Sequence, residues 1–178
     1  MMQDMPHKMM LITPNMTNQR YIFAAISLLS VGSVLVALIS QHLFGMAPCA
    51  WCVFQRVIYL AIGLVSGLAA WQAPTRTIAA RVYAAMTVLL AMAGVASAIY
   101  QKNVAAKMFS CDQTLADRWM TQSGLESAVP WLFGIYASCM DAVVYLMGIE
   151  YATWSALLFG AIALLGIYLV IAPRPGQG

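Results

Sequence analysis

The chain has 178 residues, of which 62% are hydrophobic and 8% are charged, whereas roughly 25% of the residues in a soluble protein are charged. This composition excludes a soluble globular fold and predicts an integral membrane protein. The net charge is +3, and the scattered basic residues form no aromatic-interleaved patch, which argues against a nucleic-acid partner.

Four long runs, uncharged except for Arg56 in the second, divide the chain. Each approaches or exceeds the roughly 20 helical residues that cross a hydrocarbon core. The predicted spans are residues 21–40, 52–71, 82–100 and 151–172. A short loop at 72–81 and a long polar loop at 102–150 connect the later spans. We therefore expect an all-α membrane protein in which residues 1–178 form one four-helix transmembrane bundle.

The stretch from Ala128 to Ile149 is mostly apolar and could be mistaken for a fifth span. Pro130 and Asp141 argue against this, because an Asp near a helix centre costs roughly 2.5–3.5 kcal/mol on insertion. Divided near Asp141, the stretch becomes two pieces, 129–137 and 142–149, each too short to cross a bilayer. We expect both to be short interfacial helical segments of the long loop.

Lysine and arginine are distributed unevenly between the two sides of these spans. One side carries five of them, and the other carries three together with five carboxylates. The first group comprises Lys8, Arg20, Arg76, Arg81 and Arg174. The positive-inside rule then predicts that both termini are cytoplasmic and that all four cysteines lie on the outer face.

A Cys-x-x-Cys pair, Cys49 and Cys52, lies where the first run gives way to the second. Pro48 before it and a helical pattern after it place the pair at a helix start, where the helix dipole lowers a thiol pKa. Arg56, four residues after Cys52, would share their helix face. Redox chemistry is favoured over an inert disulfide, and also over zinc, which needs four ligands that commonly come as two close pairs.

Three other residues have simpler explanations on their own. Cys111 and Cys139, separated by 27 residues, favour a structural disulfide across the long loop. His42 is best explained as a local hydrogen-bonding residue.

Arg56 is a charge just inside a membrane helix, and such a charge is a functional-site hypothesis. Snorkelling to the nearby surface is the alternative explanation.

Together these features resemble the DsbB family, the quinone-dependent disulfide oxidoreductases of bacterial inner membranes. The resemblance covers nearly the whole chain from about residue 21 onward. The residues that carry it are Gln41-His42, Cys49-x-x-Cys52-x-x-x-Arg56, Cys111-Asp112, Cys139, Gly148 and Trp154. One departure lies at the end of the third span. Better-known members have His after Tyr-Glu there, whereas this chain has Tyr100-Gln101-Lys102.

The resemblance implies a four-helix bundle in the inner membrane, with cytoplasmic termini and a periplasmic loop at 102–150. It implies that a Cys111–Cys139 disulfide takes electrons from a DsbA-like periplasmic thiol oxidase, with Cys111 forming the mixed disulfide. Cys49 and Cys52 would then reoxidise that pair and reduce ubiquinone or menaquinone. Cys52 would lie beside the quinone ring and Arg56 would support it. The implied partners are thus the DsbA-like oxidase, the quinone and membrane lipid.

Two alternatives to this function remain. A membrane thiol reductase with reversed electron flow would need a cytoplasmic electron entry, but no cysteine is predicted on that side. A non-catalytic four-helix scaffold with two structural disulfides would not require Arg56 on the helix face of the Cys-x-x-Cys pair.

Overall fold

The computed structural model describes residues 16–72, 77–107 and 114–172. Its long helices are α1 (Met16–Phe44), α2 (Ala50–Trp71), α3 (Thr77–Asn103) and α7 (Tyr151–Ile171). A 3-10 turn, Ala105–Lys107, follows α3. The connection from there to α7 contains α4 (Leu115–Ser123), α5 (Leu125–Ala128), α6 (Pro130–Phe133), β1 (Tyr145–Leu146) and β2 (Ile149–Glu150).

Within the described part of the chain, four helices are long and apolar enough to cross a membrane. The candidate spans contain 27, 22, 30 and 21 residues in chain order, compared with the roughly 20 that a bilayer requires. The predicted all-α multi-pass membrane fold is confirmed. Helices α1, α2 and α3 extend beyond their predicted spans, and α3 already begins at Thr77, inside the predicted loop 72–81. Helix α7 starts where it was predicted to start and ends at Ile171, one residue before the predicted end.

The four long helices pack in chain order. α1 packs along α2, α2 packs on α3, and α3 packs most extensively along α7. α1 and α7 touch only slightly. The bundle therefore has one loosely closed side, between α1 and α7.

The main core lies between the four long helices. Its most buried large side chains are Phe23, Ile26, Ile62, Phe159 and Ile162. Tyr59 of α2 and Phe159 of α7 stack with ring centroids 4.0 Å apart and an interplanar angle of 9°. Gly94 of α3 makes room for this stack, because a Cβ there would collide with the Phe159 ring. Small residues commonly allow such close approach between membrane helices.

Helix α4 lies against the start of α2. Its first turn is closed by a capping box, in which the Thr114 N–H donates to Asp117 Oδ2 (2.8 Å) and the Asp117 N–H donates to Thr114 Oγ1 (3.4 Å). Met120 is fully buried. Trp119 meets Phe54 of α2 edge to face, with centroids 5.5 Å apart. The apolar side of α4 thus covers α2 beside the cysteine pair.

The two short interfacial helical segments were expected at 129–137 and 142–149, and the second prediction is wrong. Residues in the second piece form the β1–β2 hairpin, which pairs antiparallel. Met147 and Gly148 both have positive φ, 54° and 79°, as a two-residue type I′ turn requires. Trp154 Nε1 donates to the Leu146 carbonyl (3.2 Å) and fixes the hairpin on α7. In the first piece, the helix is limited to α6.

Candidate active site

The described cysteines collect at one end of the bundle, where α1 ends, α2 begins, α3 ends and α7 begins. We call this the cysteine end. Cys49, Cys52 and Cys139 meet there. Cys111, the fourth cysteine predicted to act, lies outside the described residues, and so does its predicted pairing with Cys139.

Cys49 is the N-cap of α2, with an extended backbone (φ −87°, ψ 170°). Its carbonyl accepts the first helical hydrogen bond, from Val53 N–H (3.0 Å). Cys52 lies in the first turn, and the two Sγ atoms are 3.1 Å apart. Cys49 is fully buried, whereas Cys52 is only half-buried. The pair therefore has an inner sulfur and an outer sulfur.

Cys139 reaches Cys49 because the chain after α6 is fastened to the start of α2. The N–H groups of Tyr136 and Ala137 both donate to the Pro48 carbonyl (3.0 and 3.3 Å). Two residues later, Cys139 packs in the same cluster as Cys49. Cys49 thus lies between Cys139 on one side and Cys52 on the other.

Cys49 and Cys139 shift each other's ionisation. Hydrogen bonds to Cys139 and Cys52, together with burial, raise the pKa of the Cys49 thiol. The hydrogen bond from Cys49 lowers the pKa of Cys139. For Cys49, burial and the hydrogen bonds to two sulfurs thus act against the lowering of the pKa that was expected from the helix dipole. Cys139 is the thiol of this pair that ionises more readily.

A chain of buried amides reaches the cysteine pair from the other helices. Gln101 Nε2, near the end of α3, donates to Cys52 Sγ (3.1 Å) and to Cys49 Sγ (3.6 Å). Gln101 Oε1 accepts from Gln55 Nε2 of α2 (2.6 Å). Gln55 Oε1 in turn accepts from Ser155 Oγ of α7 (2.6 Å). Three helices thus contribute to one continuous network that ends on the two sulfurs.

Arg56 is buried, with 5% of its surface exposed. Its Nη1 donates to Gln41 Oε1 of α1 (2.7 Å) and to the Leu132 carbonyl of α6 (2.9 Å). Among the described residues it forms no ion pair, and its buried Nε has no hydrogen-bond partner. The side chain does not snorkel, because the connection between α3 and α7 covers it.

A cavity of about 720 Å³ lies between α1, α2 and α7, where α1 and α7 separate. Most of its wall is apolar, with side chains such as Leu28, Leu29, Val36, Ala37, Leu157 and Leu158. At one end, polar groups converge: Cys52, Gln55, Arg56, Tyr59 and Gln101. An apolar wall with a few convergent polar groups is typical of a small-molecule site.

Two polar residues near the site have connecting roles. Lys102 turns away from the cysteines, with Nζ 3.4 Å from Glu150 Oε2 and donating to Thr153 Oγ1 (2.9 Å). It thus ties the end of α3 to the start of α7. His42 Nε2 is hydrogen-bonded to the Trp131 carbonyl (3.1 Å). His42 is therefore a hydrogen-bonding residue, as predicted, but its partner is 89 positions away in the chain instead of local.

The sequence predicted that Cys49, Cys52 and Arg56 lie close together, as they do in the structure, but it did not predict the amide network. Gln55 carried a usable signal, because a polar side chain in an apolar helix is buried only if it is hydrogen-bonded. It also follows Cys52 by three residues, which places it on the same helix face. For Gln101, the sequence showed only a departure from the family pattern.

The family model described as disulfide bond formation protein DsbB matches residues 19–169. The chain belongs to the DsbB family. The match runs through all four long helices and through every described residue of the cysteine end. As a DsbB-family protein, this chain is a membrane-embedded disulfide bond formation protein.

Curated relatives agree with this assignment. Disulfide bond formation protein B of Azoarcus sp. (strain BH72) is 30% identical over 161 residues, which cover 88% of this chain and 95% of the relative. That of Stutzerimonas stutzeri (strain A1501) is 31% identical over 160 residues, covering 88% and 97%. That of Cupriavidus necator (strain H16) is 31% identical over 139 residues, covering 78% and 84%.

Proposed function

We propose that this protein is an inner-membrane thiol:quinone oxidoreductase. It reoxidises a periplasmic DsbA-like dithiol oxidase and passes the electrons to a membrane quinone, either ubiquinone or menaquinone. The observation that carries the proposal is the meeting of three cysteines with a buried arginine at the polar end of an apolar cavity. Two thiols of the partner become a disulfide, while two electrons and two protons convert the quinone to a quinol.

The residues around the cavity fit a quinone. Ring carbonyl oxygens accept hydrogen bonds, and the Arg56 Nε–H is a buried donor without a partner in the described residues. Among the described residues no carboxylate pairs with this guanidinium, so it favours negative charge on a nearby oxygen. The apolar walls from α1 and α7 suit an isoprenoid tail. The cavity volume of about 720 Å³ lies within the usual range for such sites.

The order of the sulfurs supports a direction for the exchange. Cys139 adjoins Cys49, Cys49 adjoins Cys52, and only Cys52 of these three lines the cavity. The Cys139 thiolate attacks Cys49 Sγ, a Cys139–Cys49 bond forms, and the electron pair of the broken bond leaves with Cys52. Cys52 can then deliver the electrons to the cavity. Cys111 is proposed to form the mixed disulfide with the partner protein.

The orientation in the membrane is also proposed. The excess of lysine and arginine on one side of the four spans supports cytoplasmic termini and a periplasmic cysteine end. A soluble dithiol protein would then reach the connection between α3 and α7, while a lipid-soluble oxidant would enter between α1 and α7.

The proposal is tested with purified protein, a reduced DsbA-like protein and a soluble quinone analogue, following the quinone absorbance. We expect steady quinone reduction that requires the reduced partner. Cys111→Ala should abolish oxidation of the partner while Cys49 and Cys52 still form their own disulfide. Gln122→Ala, an exposed change in α4, is the matched control and should turn over like the parent.

Other outcomes would favour the alternatives. Absence of turnover, with disulfides that resist mild reductant, would indicate a scaffold. Reduction of an oxidised partner at the expense of a quinol would indicate reversed electron flow.

A further inference from the structure

We propose that Gln101 is a positioning residue that aims its side-chain NH₂ group at the Cys52 sulfur and thereby stabilises the reduced Cys49–Cys52 pair. The inference deepens the proposed function, since it concerns the same cysteine pair. It assigns a role to one of the two positions, Gln101 and Lys102, at which this sequence departs from the family pattern.

The geometry of the Gln101 amide carries the proposal. Its Nε2 lies 3.1 Å from Cys52 Sγ and 3.6 Å from Cys49 Sγ, so the shorter contact is to the outer sulfur. Gln101 is buried, with 7% of its surface exposed. An amide donor in such a place has little competition from water, so a hydrogen bond there has a larger effect than one at the surface.

The orientation of this amide is determined by its neighbours. An amide has a donor end and an acceptor end, and the acceptor end of Gln101 receives the Gln55 Nε2 hydrogen bond. Gln55 is itself oriented, because its oxygen accepts from Ser155 Oγ. The Tyr59 hydroxyl donates to the Ser155 carbonyl (3.2 Å) and holds that residue. Only the NH₂ end of Gln101 is left to face the sulfurs.

This arrangement matters at one step of the exchange. When a thiolate attacks Cys49 Sγ, the Cys49–Cys52 bond breaks and its electron pair remains on Cys52. Gln101 then donates to a negatively charged sulfur, and a hydrogen bond to an ionised acceptor is roughly twice as strong as a neutral one. Because the donor acts on the thiolate and not on the disulfide, it stabilises the reduced pair, as in strongly oxidising dithiol proteins.

The decisive variant is Gln101→Met, which keeps the length of the side chain but removes the donor. In the reduced full-length protein, alkylation of Cys52 by iodoacetamide at pH 7, read by peptide mass, should slow by about threefold, because a tenfold loss of thiolate is partly offset by the greater nucleophilicity of a more basic thiolate. The reduction potential of the Cys49–Cys52 pair should fall by about 30 mV, the two-electron equivalent of a tenfold change. The potential is measured in a Cys111→Ala, Cys139→Ala background.

Two further variants separate positioning from general stability. Gln55→Met removes the partner that orients Gln101. It should also slow Cys52 alkylation and lower the reduction potential of the cysteine pair, with effects about a third as large as those of Gln101→Met. Gln19→Met removes another buried glutamine, near the start of α1 and far from the cysteine end, and should leave Cys52 alkylation and the potential unchanged.

The inference is overturned if Gln101→Met and Gln55→Met both behave like the parent, or if Gln19→Met produces the same changes. If Gln101→Met does not fold, Gln55→Met decides the question. The measurements need neither quinone nor partner protein. A parent that fails to turn over with quinone would therefore contradict the proposed function without affecting the test of Gln101.

Discussion

Arg56 holds a buried positive charge at the polar end of an otherwise apolar cavity. Its Nη1 donates to Gln41 Oε1 and to the Leu132 carbonyl. Its buried Nε has no hydrogen-bond partner in the described part of the chain. Burying an unpaired cation is costly. A residue held in this way is better suited to stabilising charge that develops in the cavity than to supporting the fold.

We therefore expect Arg56→Lys to raise the KM for quinone by about tenfold, because lysine keeps the charge but loses the planar fork. Arg56→Met should lower quinone reduction by about a hundredfold, as expected when a charge-stabilising donor is lost. Steady-state kinetics against quinone concentration on folded, membrane-inserted protein test both changes. Arg81→Met, an exposed change in α3, is the control. Parent-like kinetics in Arg56→Met would show that the arginine has only a structural role.

The contact between Cys49 and Cys139 leads to a prediction about pH. The hydrogen bond from Cys49 lowers the pKa of Cys139. Cys49→Ala removes this donor, so the pKa of Cys139 should rise and its thiolate fraction at pH 7 should fall. The alkylation rate of Cys139 in the reduced protein should then decrease, and its pH profile should move to higher pH.

Cys49→Ser is the matched variant for this test, because its hydroxyl can still donate. It should restore part of the shift in the pH profile of Cys139, which is followed by peptide mass after timed alkylation. Identical profiles for the parent and for Cys49→Ala would mean that this hydrogen bond does not control the reactivity of Cys139.

At the scale of elements, the tight packing of α3 on α7 contrasts with the loose contact of α1 with α7. The tight side depends on small residues that let the helices approach. The loose side leaves the space that forms the cavity. The packing of α7 against α3 therefore holds α7 in place, and another side of α7 lines the cavity.

Two glycines test this difference between the packed and open positions. Gly94→Ala should reduce the free energy of unfolding by about 1–3 kcal/mol, because the new Cβ would collide with a Phe159 ring that is held by stacking on Tyr59. Gly160→Ala, in α7, meets no atom within 4 Å and should leave stability nearly unchanged. Thermal unfolding in detergent, followed by circular dichroism, gives the comparison. Equal losses in both variants would contradict the packing explanation.

At the scale of the whole molecule, the described site residues all lie at the cysteine end of the bundle. The connection between α3 and α7 lies at the same end. By sequence, five of the nine lysine and arginine residues belong to the stretches that the four-span topology puts on the other side of the membrane. In the proposed orientation that side is cytoplasmic, and the cysteine end is the face that the proposed soluble partner would meet.

Reporter fusions test this orientation directly. A fusion after Gln72, at the end of α2, should report the cytoplasmic side, whereas one after Glu126, in α5, should report the periplasmic side. A fusion after Arg20 serves as a second cytoplasmic reference. If the fusions after Gln72 and Glu126 fell on the same side, the four-span topology would be wrong.

The number of membrane helices and the local geometry of the Cys-x-x-Cys pair could be predicted from the amino-acid order alone. Hydropathy over some 20 residues is a local property, and it marks each long helix. Helical spacing is also local, so Cys52 and Arg56 were correctly assigned to one face of α2. The hairpin at β1–β2 was missed, because its turn depends on a non-glycine residue, Met147, in the left-handed region.

Contacts between distant segments were decided by the tertiary structure. Gln101 and Cys52 are 49 positions apart, and Ser155 and Gln55 are 100 apart. Whether such groups meet depends on the relative height and rotation of whole helices, which hydropathy does not specify. The burial of Arg56 beneath the Leu132 carbonyl and the contact of Cys139 with Cys49 arise in the same way. The amino-acid order therefore determined that a thiol pair and a cation share one membrane helix, and the packing of the other elements decided which groups surround them.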